Sequence, residues 1–176
     1  MNKGVTKKSI MLVIDAVTVA VPIWFDQFTK YLSIEHLKNH APYVLINGVL
    51  ELQYLENRGS AFGMLQNQKI LILSVGIVFL LVILAVLFRL PSARKFCIVH
   101  VLLSVIIAGG IGNMIDRFRF DYVVDFISFV LIDYPIFNVA DIYIVTATIG
   151  LFLIFLFVFK EADLEFLDFK RKHHNV

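Results

Sequence analysis

Two stretches of the chain place an asparagine three residues before an aspartate: Asn113-Met-Ile-Asp116, followed by Arg117, and Asn138-Val-Ala140-Asp141. Residues three and four apart share one face of a helix, so each motif would present its amide and its carboxyl together. Two carboxylates brought together have a defined chemistry. At about 4 Å and an effective dielectric near 20 they repel by roughly 4 kcal/mol, which is about three pK units. One proton then stays on the pair at neutral pH. Such a pair can take a proton from water with one oxygen and protonate a leaving amide with another. The proton belongs to the pair, so neither aspartate is assigned it.

The elements that would hold these residues follow from hydropathy. Of 176 residues, 59% are hydrophobic, above the roughly 45–50% of soluble domains, and mean hydropathy is +0.82. A bilayer core of about 30 Å needs about 20 apolar residues in a helix. Four segments meet this, at about 10–34, 70–88, 96–115 and 136–159. The predicted fold is a single polytopic α-helical membrane domain. The apolar run behind Met1-Asn-Lys-Gly-Val-Thr-Lys-Lys8 exceeds a signal-peptide core of about 7–15 residues, so the first helix is expected to be retained. A net charge of +2, with no basic stripe interleaved with aromatics, gives no reason to expect nucleic acid. The single cysteine, Cys97, excludes a disulfide framework. No His/Cys/carboxylate cluster has metal-ligand spacing, so neither metal nor cofactor is expected.

Positive charge sets the orientation. Lys3, Lys7 and Lys8 precede the first helix, Arg89, Arg94 and Lys95 link the second and third, and Lys160, Lys170, Arg171 and Lys172 lie in the tail at about 160–176. Both termini and the middle link are therefore predicted to be cytoplasmic, with loops of about 35–69 and 116–135 outside. Asp116, at the outer end of the third helix, and Asp141, about 8 Å into the fourth, then lie at similar depth near the outer surface. Tyr43–Leu55 reads as a hairpin with Asn47-Gly48 as a two-residue turn. Tyr122-Val-Val-Asp125-Phe-Ile also reads as strand. Small β elements are thus expected in the outer loops. Gly109, Gly110 and Gly112 would let a second helix approach the third closely, and Pro135 suits a first helical turn.

Plainer readings stand beside these. Asp116 and Arg117 could form an interfacial ion pair, and Asp141 could be one polar group bonded to a neighbouring helix. Asp26 and Lys30, four apart, read as an anchoring ion pair. Asp15 is expected to be solvated at the inner end, and His100 to be packed or wetted there. A proton-conducting transporter would also bury acids, but the second helix carries no charge. A non-catalytic assembly factor would not need two Asn-x-x-Asp motifs at one depth.

Five motifs in order give the chain a resemblance to the lipoprotein signal peptidases, or signal peptidase II. They are Asp26-Gln-Phe-Thr-Lys30, Asn57-Arg-Gly59-Ser-Ala-Phe-Gly63, Gly112-Asn113-Met-Ile-Asp116-Arg117, Val124-Asp125-Phe126 and Phe137-Asn138-Val-Ala140-Asp141. The resemblance covers nearly the whole chain. One departure is Ala108-Gly109-Gly110, where the family more often has Gly-Gly-Ala. The resemblance implies an aspartic endopeptidase of the bacterial cytoplasmic membrane that removes signal peptides from diacylglyceryl-modified prolipoproteins. The cut falls on the N-terminal side of the lipidated cysteine. It implies Asp116 and Asp141 as catalytic residues. Asn57, Gly59, Asn113, Arg117, Asp125, Asn138 and Ala140 would shape the site or hold substrate, with Asp26 and Lys30 as structural support. Membrane lipid and globomycin-type inhibitors are further implied partners, and a monomer is expected.

Overall fold

The computed structural model describes residues 3–59, 68–160 and 163. It has four long helices and three strands: α1 (Lys3–Leu37), β1 (Tyr43–Ile46), β2 (Leu50–Asn57), α2 (Lys69–Arg89), α3 (Cys97–Phe120), β3 (Val123–Phe129) and α4 (Val139–Phe157). All four helices contain spans long and apolar enough to cross a membrane. Their outward faces carry large apolar residues such as Val21, Phe79, Phe118 and Phe152, as lipid rather than water would require. The helix α3 is the central post. Half of its span is buried, against 11–17% for the other three. Val99, Leu103, Ile106 and Ile107 of α3 meet Ile83 and Leu87 of α2 and Ala147 of α4.

Glycine makes this central position possible. A β-carbon on Gly109 would stand 2.6 Å from the Ala140 carbonyl oxygen, and one on Gly112 would stand 2.5 Å from Asp26 Oδ2. Helices α1 and α4 can therefore reach α3 only because those positions lack a side chain, as close packing without a hydrophobic drive demands.

The strands form one antiparallel sheet in the order β1-β2-β3. It lies at the end of the bundle where α1 and α3 finish and α4 begins. The hairpin is present, but its turn is not the two-residue one predicted. Ile46 pairs with Leu50, leaving Asn47, Gly48 and Val49 in the loop, closed by a 3.0 Å bond from Val49 N–H to Ile46 O. Only Gly48 has a positive φ, 68°, whereas the common Asn-Gly hairpin turn needs positive φ at both residues.

Two helix ends also differ from expectation. Helix α3 continues past Ile115 to Phe120 and stops at Asp121 in left-handed conformation, φ 68°. Asp116 is therefore inside the helix rather than at its cap. Helix α4 starts at Val139, so Pro135 lies before it rather than in its first turn. The cause is local: Phe137 bridges Ile127 as an extended residue, with bonds in both directions of 2.8 and 3.0 Å. Asp15 is not solvated. It is buried with His100 and Ser104, because α1 begins near Lys3 and places Asp15 several turns inside.

Candidate active site

The start of α4 organises the site. Asn138 is its N-cap. The Asn138 side-chain oxygen accepts from Asp141 N–H at 3.0 Å, and Asp141 Oδ2 accepts from Asn138 N–H at 3.1 Å. This reciprocal capping box satisfies two of the donors that a helix start leaves free. The Asn138–Asp141 spacing thus serves a cap rather than a shared helix face. A third free donor, Ala140 N–H, is taken by Asp26 Oδ1 of α1 at 3.0 Å. A carboxylate there also favours the positive end of the helix dipole. Ala140 is fully buried.

Asp26 belongs to a cluster built around Lys30. Lys30 Nζ is 3.0 Å from Asp26 Oδ2, 3.0 Å from Asp116 Oδ2 and 2.9 Å from Asn113 Oδ1. These contacts use all three donors of an ammonium group. Gln27 adds its amide to Asp116 Oδ1 at 3.0 Å and to Gly112 O at 3.2 Å. Asp116 Oδ2 also accepts from Val124 N–H at 3.0 Å, which ties the start of β3 to α3. Asp116 is therefore held by one cation, one amide and one backbone donor. Arg117 turns away from it, donating to Gly59 O at 3.0 Å and Asn113 O at 3.3 Å. The ion pair of the plainer reading is formed with Lys30 instead, since adjacent helical residues do not face each other.

Asp125, on β3, meets different company. Its Oδ1 accepts from Asn138 Nδ2 at 2.6 Å and its Oδ2 from Asn57 Nδ2 at 2.8 Å. Asn57 pairs with Val123 across the sheet, so its side chain reaches Asp125 on the diagonal. Asp141 Oδ1 accepts from Asn113 Nδ2 at 2.8 Å. Each amide orientation is fixed by its other contact. Lys30 can only donate, so it holds the oxygen of Asn113. Asp141 N–H holds the oxygen of Asn138, and Gly59 N–H that of Asn57 at 3.0 Å. The three NH₂ groups are left for the two carboxylates. Asn138 thus bridges Asp125 and Asp141, and their donors are neutral amides and one backbone N–H.

The electrostatics follow. Burial pushes the Asp125 carboxyl up to about 7, and the nearby Asp141 charge pushes the same way. The amide bonds from Asn57 and Asn138 and the more distant Lys30 oppose that rise without cancelling it. A buried carboxyl raised by desolvation and a second carboxylate is the pattern of a proton-sharing pair. Among the described residues no group of three His, Cys, Asp or Glu side chains is placed to hold a metal.

All the predicted site residues within the described segments converge here: Asn57, Gly59, Asn113, Arg117, Asp125, Asn138, Ala140, Asp26 and Lys30 surround Asp116 and Asp141. Gln27 was not singled out, although it stands between Asp26 and Lys30 in the first motif. Ser60 to Gly63 of the second motif, and the tail apart from Lys160 and Asp163, lie outside the described residues.

A bundle of four helices long and apolar enough to span a membrane, with a capping sheet and a cluster of carboxylates beneath it, defines a polytopic membrane protein. A family model described as signal peptidase (SPase) II matches residues 18–159. The lipoprotein signal peptidase of Caldanaerobacter subterraneus subsp. tengcongensis is 41% identical over 144 residues, covering 82% of this chain and 95% of that one. That of Streptococcus thermophilus is 42% identical over 148 residues, covering 84% and 93%. A solved bacterial membrane enzyme, determined by the in meso method, superposes with a TM-score of 0.74 at 27% identity, covering 81% of this chain and 87% of that one. The chain belongs to the signal peptidase II family and is a multi-pass membrane peptidase.

Proposed function

We propose that this chain is an aspartic endopeptidase that removes the signal peptide from diacylglyceryl-modified prolipoproteins, cutting before the lipidated cysteine. We further propose Asp125 and Asp141 as its catalytic pair, in place of Asp116 and Asp141. The observation that carries this choice is a buried carboxylate, Asp125, bridged by Asn138 to the half-buried Asp141, with neutral donors on both. Asp116 is instead neutralised by Lys30 and committed to Val124. A carboxylate occupied in that way is poorly placed to accept a proton from water.

The chemistry needs one proton on the pair. The ionised carboxylate takes a proton from water as the water oxygen attacks the scissile carbonyl carbon. The protonated partner gives its proton to the carbonyl oxygen, forming a gem-diol. On collapse the C–N bond breaks and the amine nitrogen takes a proton back through the pair. Asn57, Asn113 and Asn138 hold the carboxylates, and Arg117 holds the chain at Gly59, beside Asn57.

The Lys/Arg distribution supports cytoplasmic termini and a site near the outer surface of the bacterial cytoplasmic membrane. There the substrate's lipid stays in the bilayer while the scissile bond reaches the carboxylates. A monomer is sufficient, since all the site residues come from one chain, and globomycin-type cyclic peptides are proposed inhibitors. Purified protein should cleave a diacylglyceryl-modified precursor peptide and leave the unmodified peptide intact. Equal cleavage of both would remove the lipid requirement, and cleavage of neither would remove the reading. Labelling of an engineered cysteine in 89–95 from the outside only would invert the topology.

A further inference from the structure

The end of the bundle opposite the sheet contains a second buried polar group that the peptidase chemistry does not use. Asp15 of α1 accepts from His100 Nδ1 of α3 at 3.0 Å and from Ser104 Oγ at 3.3 Å. All three residues are buried, His100 to within 3% of full burial. The other ring nitrogen of His100, Nε2, has no hydrogen-bond partner among the described residues. Asp15 and His100 line a cavity of about 500 Å³ between α1, α2 and α3, with Lys8 and Ser92 at one end and Val19, Ile23, Leu84 and Ile111 along it. That volume is in the range of small-molecule sites, roughly 300–1,000 Å³.

The shape and chemistry of the cavity select an amphiphile. From Lys8 to Ile23 along α1 is about 22 Å at about 1.5 Å per residue, longer than half of a bilayer core of about 30 Å. Lys8 supplies a positive charge at the mouth. His100 lies in the first turns of α3, which starts at Cys97, so its unpartnered nitrogen is nearer the Lys8 end of the cavity than the Ile23 and Ile111 end. A hydroxyl satisfies Nε2 in either state, donating to the unprotonated nitrogen or accepting from the protonated one. We propose that this cavity binds one anionic glycerophospholipid with a hydroxyl-bearing headgroup. The acyl chain would lie along Val19 and Ile23, the phosphate near Lys8 and the headgroup hydroxyl on His100.

The test is native mass spectrometry of the full chain released from bilayers of phosphatidylglycerol and phosphatidylcholine mixed equally. One phosphatidylglycerol should be retained per chain in preference to phosphatidylcholine. Removing the nitrogen with His100→Leu should weaken retention roughly tenfold, the equivalent of one hydrogen bond. Ala20→Phe, which fills the cavity wall without touching the polar group, should abolish retention and keeps the test decisive if His100→Leu folds poorly. Equal retention of both lipids, wild-type retention by Ala20→Phe, or stoichiometric displacement of the lipid by a precursor peptide would each overturn the proposal.

Discussion

Two acidic clusters sit within one site, and they are built in opposite ways. Around Lys30, the carboxylates of Asp26 and Asp116 are met by a cation, a glutamine amide and backbone donors from α4 and β3. Around Asn138, the carboxylates of Asp125 and Asp141 are met by neutral amides and one backbone donor. The first arrangement pairs two acids with one cation and fastens α1, α3, α4 and β3 together. The second keeps two acids close with no cation in direct hydrogen-bond contact, the setting in which a carboxylate pair can share one proton. Burial alone does not tell the two clusters apart, since Asp116 and Asp125 are equally buried. The partner set does.

The comparison can be broken by substitutions that should behave differently in the two clusters. The largest effect is expected at Asp141. Asp141→Asn should lower turnover by about 10³-fold or more, in line with loss of a general acid or base. Combining it with Asp125→Asn should cost little further, because the residues act as a unit. Multiplicative losses in the double variant would separate the two roles.

Lys30→Met should act through stability. It leaves two buried carboxylates without their cation, a change of about 3–5 kcal/mol. The melting temperature should fall sharply, while the residual folded protein still turns over. A variant that melts like the wild type would show that the cluster is not the fastening it resembles.

The pH dependence sharpens the comparison further. The Asp125 carboxyl stands at about 7 in the folded protein and near 3.9 when unfolded. Its folded pKa is raised, so its contribution to stability is fully present below about pH 4 and is lost as pH rises through about 7. Activity should also decline as the pair loses its shared proton, with an apparent pKa belonging to both residues. Rate profiles and melting curves between pH 5 and 9 would show both trends, and Asp125→Asn should remove the stability slope. A flat profile across that window would mean that the pair holds no proton there.

The smallest effect is expected at Asn57. Asn57→Ala removes one amide donor to Asp125 and should reduce cleavage roughly tenfold, about one hydrogen bond, with little change in melting. It should also move the alkaline limb upward, since the lost bond favours the ionised form. Normal cleavage by this variant would make Asn57 a connector only.

Much of this was readable from residue order. Four apolar runs gave the helices because a bilayer demands length and hydropathy alone, and Asn47-Gly48 marked a hairpin even though its loop is longer. The small residues at Gly109 and Gly112 pointed to close packing, which their contacts with Ala140 and Asp26 bear out. The partnership of Asp141 was harder to read. Asn113-x-x-Asp116 and Asn138-x-x-Asp141 look alike in sequence, but one belongs to a continuing helix and the other to a cap. Asp125 sits on a strand, and no periodicity gives a strand's depth relative to a helix end. Register supplies it: Phe137 bridges Ile127, which sets Asn138 beside Asp125. Gln27 and Asp15 were missed or misread because their partners are about 85 or more residues away in the chain.

The most direct test of the central claim is to compare Asp125→Asn with Asp116→Asn, measuring turnover of a diacylglyceryl-modified precursor peptide beside a melting curve for each. Asparagine keeps the size of the side chain but accepts no proton from water at neutral pH. Asp125→Asn should fold with unchanged or higher stability and lose cleavage. Asp116→Asn should melt lower, through its lost pairing with Lys30, yet retain measurable turnover while folded. A folded Asp125→Asn that cleaves at the wild-type rate, beside a stable Asp116→Asn that does not cleave at all, would contradict the account and return the catalytic role to Asp116.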